Sequence, residues 1–318
     1  MERVYEEIIV EVEKKAKELY GENVNVVKRV TLKNNGVKLN GVLIQKQGAT
    51  VAPVIYVDED ICNVCKGNIT IDDVVSKVIR QYEKHEEAPI GKSMDFNLVR
   101  QKIGEICLKV VNAEKNEELL NDIPHKRFLD LAVIYRVPVF YDQNGLGSIL
   151  ITNGMLEELD MTLEEIDEIA MKNLLSKKVS IRAMKDVIRD LMMQRTVGTF
   201  GDSLEEDDAD EIMDGLFGNE DENPEMRMWV LGSDGMFGAS CMYSQREIEI
   251  LAERLEKDLY ILPSSVHELI ALEASSEIEP DSLKDMVGDV NSSQVPNEDI
   301  LSDSVYYYDR EKKELRIA

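Results

Sequence analysis

Apolar residues along this chain follow two periods, and the switches between them outline the fold. Val4, Ile8, Ile9, Val12 and Ala16 recur at helical spacing with Glu and Lys between them, which predicts a helix from Met1 to about Gly21. Gly21 is a natural C-terminal stop. The pattern then turns to strands. Asn25 to Lys33 runs through Val26, Val27, Val30 and Leu32, and Val37 to Lys46 is the return strand. Asn34-Asn35-Gly36 between them is a hairpin signal, because Asn and Gly accept positive φ cheaply. Gln47 to Thr50 turns again, and Val51 to Val57 makes a third strand. Short turns imply antiparallel order. Ile69-Thr70 then caps a helix to about Lys84, with Ile71, Val74, Val75, Val78 and Ile79 on one face.

The segment His85 to Lys92 is polar and holds Pro89 and Gly91, so it reads as a linker. Beyond it, Ile103 to Val111 fits a strand or a short helix, and Glu117 to Asp122 is a helical turn stopped by Pro124. Phe128 to Phe140 reads as a buried strand, paired through the turn Asn144 to Gly147 with Ser148 to Thr152. Three helices are expected next: Gly154 to Asp160, Thr162 to Leu175 with a Thr-x-x-Glu capping box, and Ser180 to Gln194. Met226 to Leu231 and Ala239 to Tyr243 are expected to pair as strands around Gly232 to Gly235. Ser244 is expected to cap a helix to about Lys257, with Glu247 reciprocating. Asp258 to Leu262 and His267 to Glu273 are strands, Pro280 to Val290 a helix, and Tyr306 to Tyr308 with Glu314 to Ile317 a closing hairpin.

Strand groups beside helices, without a regular βαβ alternation, predict an α+β fold: antiparallel sheets flanked by helices, with an acidic loop insertion. The expected domains are residues 1–92 (helix, three-stranded meander, helix) and 93–318, the second carrying the insertion at about 201–225. No period of repeat length is evident.

Charge alters this picture more than composition does. The 318 residues hold 37 Lys and Arg against 63 Asp and Glu, a formal net charge of −26. Twelve carboxylates and no Lys or Arg lie between Gly201 and Glu225, which reads as a solvated loop. Nucleic-acid binding works by neutralising phosphates with cations, so this balance argues against nucleic acid and anionic membranes. It reads as a device for solubility or, more sharply, as an acidic face for a basic protein partner. The most apolar stretch, Leu129 to Tyr141, is broken by Asp130, Arg136 and Pro138 and is too short to span a bilayer. The first residues lack a basic region followed by an apolar core. With four cysteines, these features predict a cytoplasmic protein with reduced thiols.

Chemistry-bearing motifs are few. Cys62-x-x-Cys65 is spaced so that two thiolates could share a metal or form a redox pair. Zinc would need two more ligands, and Cys107 and Cys241 stand alone, so the pair reads as incidental and no cofactor is expected. Pro263-Ser264-Ser265-Val266-His267-Glu268 gathers hydroxyls, an imidazole and a carboxylate. Ser265 and His267, two apart on a strand, share a face. With His125 brought close, the segment would be a hydrolase-like site, but no G-x-S-x-G elbow accompanies it. Phosphate-loop frames are absent.

Several segments together resemble an uncharacterised protein family common in gut Firmicutes, known only as a domain of unknown function. They are Gly41 to Lys46 with Pro53-Val54-Ile55-Tyr56; Asn116 to Leu120 with Ile123-Pro124-His125 and Phe128 to Leu131; Ile151-Thr152-Asn153; Gly238 to Met242; Leu259 to Glu268; and Val290-Asn291 to Tyr308. The resemblance covers most of the chain, in order, and implies no activity and no catalytic residues. Cys62, Cys65 and the acidic stretch lie outside it. The expectation is a cytoplasmic, bacterial, non-enzymatic interaction protein, with a hydrolase using Ser264 to Glu268 as the alternative.

Overall fold

The computed structural model describes residues 1–47, 54–87, 96–142, 145–199, 227–233, 237–263 and 265–318. The chain divides into two compact units, Met1–Ile103 and Gly104–Ala318. The acidic stretch and the turn at Gln47 to Thr50, apart from Gln47 itself, lie outside the described residues.

In the first unit, helix α1 (Glu2–Tyr20) ends at Gly21, whose φ of 85° suits glycine. Strands β1 (Val24–Leu32), β2 (Lys38–Lys46) and β3 (Val54–Tyr56) form an antiparallel meander in that order. Asn35 and Gly36 carry the positive φ values, 58° and 70°, that the hairpin signal implied. Helix α2 (Asp58–Cys65) was not expected; it places Cys62 and Cys65 one turn apart. Helix α3 (Ile71–Glu87) extends past the expected end, so His85 belongs to a helix rather than a linker. Thr70 and Asp73 cap it reciprocally: Thr70 N–H donates to Asp73 Oδ2 (2.9 Å) and Asp73 N–H to Thr70 Oγ1 (3.2 Å). Tyr5, Ile8, Val12 and Ala16 of α1 share one core with Val42 and Ile44 of β2 and Val74, Val78 and Tyr82 of α3. Helix α4 (Phe96–Lys102) completes the unit.

The second unit holds two antiparallel sheets. In one, β4 (Cys107–Asn112) pairs with the long β6 (Leu131–Asp142) along one edge. β5 (His125–Phe128) and β7 (Gly145–Leu150) share the other edge end to end. The β5–β6 turn holds Leu129 at φ 55°. Helix α5 (Glu117–Leu120) is the expected helical turn, and its Leu120 packs with Val111, Ile123, Ala132 and Ile134 on one sheet face. Helix α6 (Asn153–Leu159) leads into α7 (Leu163–Ser176), whose capping box is present as expected.

The second sheet of this unit has six strands. β8 (Val179–Ala183) forms one edge and β9 (Met228–Ser233) follows it. Next come β11 (Leu269–Glu273), β10 (Leu259–Leu262), β12 (Tyr306–Asp309) and β13 (Glu314–Ile317). Three expectations fail here. Ser180 to Gln194 is not one helix. Val179 to Ala183 pairs with β9, and only then does helix α8 (Met184–Thr199) begin. Ala239 to Tyr243 is not a strand but a 3-10 turn followed by helix α9 (Cys241–Ser244), with Ala239, Ser240, Cys241 and Met242 all buried. Short apolar runs fit either period, and tertiary packing decides between them. The Ser244–Glu247 capping box is also absent. Helix α10 (Arg246–Leu255) starts at Gln245 in a left-handed conformation (φ 57°), and Glu247 turns inward to pair with Arg246 (2.6 Å). Helix α11 (Pro280–Ser293) sets Leu283 and Val287 against Tyr260, Leu262 and Leu272 of the sheet. No described helix is long and apolar enough to cross a membrane.

Candidate functional site

The residues singled out from the sequence sit in three places. Ser265 and His267 lie in the loop that enters β11, and Ser264 is outside the described residues. Ser265 Oγ accepts a hydrogen bond from the His267 backbone N–H (3.0 Å), and Ser265 N–H donates to Glu268 O (3.3 Å). This is a serine-closed turn. The exposed imidazole of His267 meets Asp299 through Nε2 (3.3 Å). His125 is on β5 of the other sheet, opposite Ile134, with Nδ1 against Ile123 O at 3.1 Å. Cys62 and Cys65 belong to the first unit, and both thiols are free. Among the described residues no group of three or more His, Cys, Asp or Glu is placed to hold a metal.

Two carboxylate clusters that no local motif announced are denser than any of these. The first gathers around Asp167 on α7. Tyr135 Oη of β6 donates to Oδ1 (2.7 Å), Lys126 Nζ of β5 to Oδ2 (2.6 Å), and Tyr243 Oη of α9 stands 3.5 Å from Oδ2. Phe128 packs edge-on against Tyr243. Lys126 pairs with Val133, two residues from Tyr135, so Lys126 and Tyr135 share a face, and the His125–Ile134 pair is on the other. The electrostatics work against reactivity. Burial, then the bond to Asp167, pushes the Tyr135 phenol well above its ordinary range. Burial and the Asp167 charge also raise Tyr243. The hydrogen bond to Asp167 raises Lys126, although burial opposes it. Each shift keeps a proton in place, so the cluster offers neither a phenolate nor a free amine at neutral pH. Beside it an open groove of about 560 Å³ is lined by Asp167, Glu168, Met171, Lys172, Leu175 and Ser176.

The second cluster closes the C-terminal segment onto the β5–β6 turn. Asp130 accepts from Ser302 Oγ (2.7 Å), Ser304 Oγ (3.0 Å) and Tyr306 Oη (2.7 Å). Asn112 Nδ2 donates to Leu301 O (3.2 Å), and Asn291 Nδ2 to Ser302 O (3.0 Å) and Asp303 Oδ1 (2.8 Å). Buried polar groups are satisfied here by one another, which fixes geometry rather than exposing a reagent. Asp130, Asn291 and Ser302 all fall in segments that carried the family resemblance.

A family model described as a family of unknown function, DUF5688, matches residues 5–310. The chain belongs to this family. No curated protein and no solved structure matches it. Membership therefore brings no activity to the chain, and the chemistry has to be argued from its own residues. The clusters around Asp167 and Asp130 escaped the sequence reading because their members are far apart: 41 residues separate Lys126 from Asp167, and 176 separate Asp130 from Tyr306.

Proposed function

We propose that this chain is a cytoplasmic bacterial interaction protein without catalytic activity, whose acidic surface receives a basic protein. One observation carries the reading. Between Asn153 and Met171 there is no Lys or Arg, and Glu157, Glu158, Asp160, Glu164, Glu165 and Glu168 of that window are all exposed. This is a one-signed stretch of chain through α6 and α7, and concentrated charge of one sign steers and selects partners of opposite charge. The twelve carboxylates between Gly201 and Glu225 add to the same sign. The polar clusters support the reading in a second way, since their hydroxyls and amine are held protonated and bonded.

The test is affinity capture from a bacterial extract at low and high salt, with wild type beside E157Q/E158Q/E164Q/E168Q. Glu165 is left alone because it caps α7. A basic protein held by wild type at low salt, released at high salt and not held by the variant is the expected result. Equal retention by both proteins, or none by either, would overturn it. Ester or amide hydrolysis by the purified chain that H267A abolishes would point instead to the Ser264–Glu268 segment.

A further inference from the structure

The meander β1–β2–β3 breaks the charge pattern of the chain. From Asn23 to Val57 there is no Asp or Glu, although 63 of the 318 residues are acidic and a window of 35 would hold about seven at that average. Five cations lie in it: Lys28, Arg29, Lys33, Lys38 and Lys46. Strand alternation sorts the side chains onto two faces. Val24, Val26, Val42, Ile44 and Ile55 belong to the core shared with α1 and α3, so theirs is the inner face. Lys28 rises on that side and is neutralised by Glu2 and Glu6 of α1. The outer face holds the row Val27, Leu43 and Val54 and, beside it, the row Arg29, Gly41 and Tyr56. Arg29 is exposed and has no carboxylate partner among the described residues. Lys33 Nζ lies 4.5 Å from the centre of the Tyr56 ring.

Strand β1 is also an edge of its three-stranded sheet, nine residues long. Gln47 N–H donates to Asn23 O and Lys33 N–H to Val37 O, so the odd-numbered residues of β1 spend their backbone groups on β2. The N–H and C=O groups of Val24, Val26, Lys28, Val30 and Leu32 therefore point away from the sheet, and among the described residues no strand takes them. Val27 and Val30 are exposed along the same strand. A long edge with exposed valines is a template for a further strand. Lysine on an edge also deters unwanted pairing, but that role needs a cation, not the removal of every carboxylate from Asn23 to Val57.

We infer that the β1 edge takes an extended acidic segment of a partner protein as a fourth strand. Main-chain bonds to the outward-facing residues hold the segment, its carboxylates meet Arg29 and Lys33, and its apolar side chains lie against Val27. A second copy of β1 fits poorly, because antiparallel self-pairing sets the cations of the two copies against each other. Nucleic acid carries the charge but no amide ladder to add to the edge. At about 0.15 M salt the screening length is about 8 Å, so the sign of the meander, rather than the net charge of −26, decides what docks here. This surface selects the charge opposite to that selected by the α6–α7 stretch and does not depend on it.

The experiment follows the fluorescence anisotropy of a labelled, end-blocked ten-residue peptide of alternating Glu and Val as the full chain is added, at about 0.15 M salt. Three probes serve as comparisons: the same peptide with Lys for Glu, the fully N-methylated Glu-Val peptide, which keeps its charges but cannot donate to a strand, and a short oligothymidylate. Saturable binding of the unmodified Glu-Val peptide alone is expected, weakened about tenfold or more in R29E, the loss of a charge-assisted contact, and likewise in V30P. Val30 is exposed and its N–H points outward, so proline there removes an edge donor and leaves the β1–β2 ladder intact. Should V30P not fold, R29E and the N-methylated peptide carry the test. No binding of the Glu-Val peptide would overturn the inference. So would equal binding by R29E or of the N-methylated peptide, and so would equal binding of oligothymidylate, which would make this a general anion surface.

Discussion

Gly41 shows how one side chain, by its absence, sets the approach of two strands. It pairs with Arg29 in β1 and Tyr56 in β3, and its carbonyl accepts from Tyr5 Oη of α1 at 2.7 Å. A Cβ at this position would collide with Val54 Cγ1, while Arg29 O (3.4 Å) and Ile55 O (3.5 Å) would lie at ordinary contact distance. The backbone here is ordinary strand, so the constraint is space rather than conformation. G41A should therefore destabilise the protein by about 1–3 kcal/mol, the usual cost of overpacking. Adding V54A should recover part of that loss, since the nearest obstacle is then gone. Urea unfolding with an unchanged m-value would measure both. A G41A variant as stable as wild type would show that β3 shifts at no cost. Glycine at this point was visible in the sequence, but the reason for it was not, because the colliding atom belongs to a residue thirteen positions away.

At the scale of elements, legibility follows from whether the signal is local. α1, the β1–β2 hairpin and α7 announce themselves through period, turn residues and caps that all lie within a few positions. β8 does not. Ile181, Met184, Val187, Ile188 and Leu191 fit a helical stripe, yet Val179 to Ala183 is drawn into the sheet by pairing with β9, some fifty residues on. The candidate sites divide in the same way. Cys62–Cys65 and Ser264–His267 were conspicuous because they are adjacent in sequence, whereas the Asp167 and Asp130 clusters depend on distant strands. The capping box of α7 allows a quantitative check. Thr162 Oγ1 accepts from Glu165 N–H (3.2 Å), and Thr162 N–H donates to Glu165 Oε2 (2.8 Å). T162A should cost about 1 kcal/mol at neutral pH. The bonds from the Thr162 backbone and hydroxyl hold the Glu165 carboxyl below its ordinary value of 4.5. A depressed folded pKa contributes stability above the unfolded value and loses it as pH falls through the folded one. The gap between wild type and T162A should therefore be full above that value and narrow in more acid solution. A gap that is independent of pH would remove Glu165 from the cap.

For the whole molecule the governing quantity is the net charge of −26. Folding concentrates that charge, so self-repulsion opposes the compact state. Salt acts on two opposing terms. It weakens ion pairs such as Arg3–Glu7 and Lys15–Glu18, and it screens the repulsion. The first term is small, because these pairs are exposed and such pairs contribute about 0–1 kcal/mol each. The second grows with the square of an imbalance this large and acts over the whole surface. At about 0.01 M salt the screening length is about 30 Å, so carboxylates across a unit still repel one another; at about 0.15 M it is about 8 Å, and only neighbours do. Repulsion should win. The thermal midpoint in sodium chloride is expected to rise over that interval and then flatten. The same series in E157Q/E158Q/E164Q/E168Q should rise less, because four charges of one sign are already gone. Differential scanning calorimetry across the series decides the matter: a midpoint that falls with salt would mean that the surface ion pairs outweigh the imbalance.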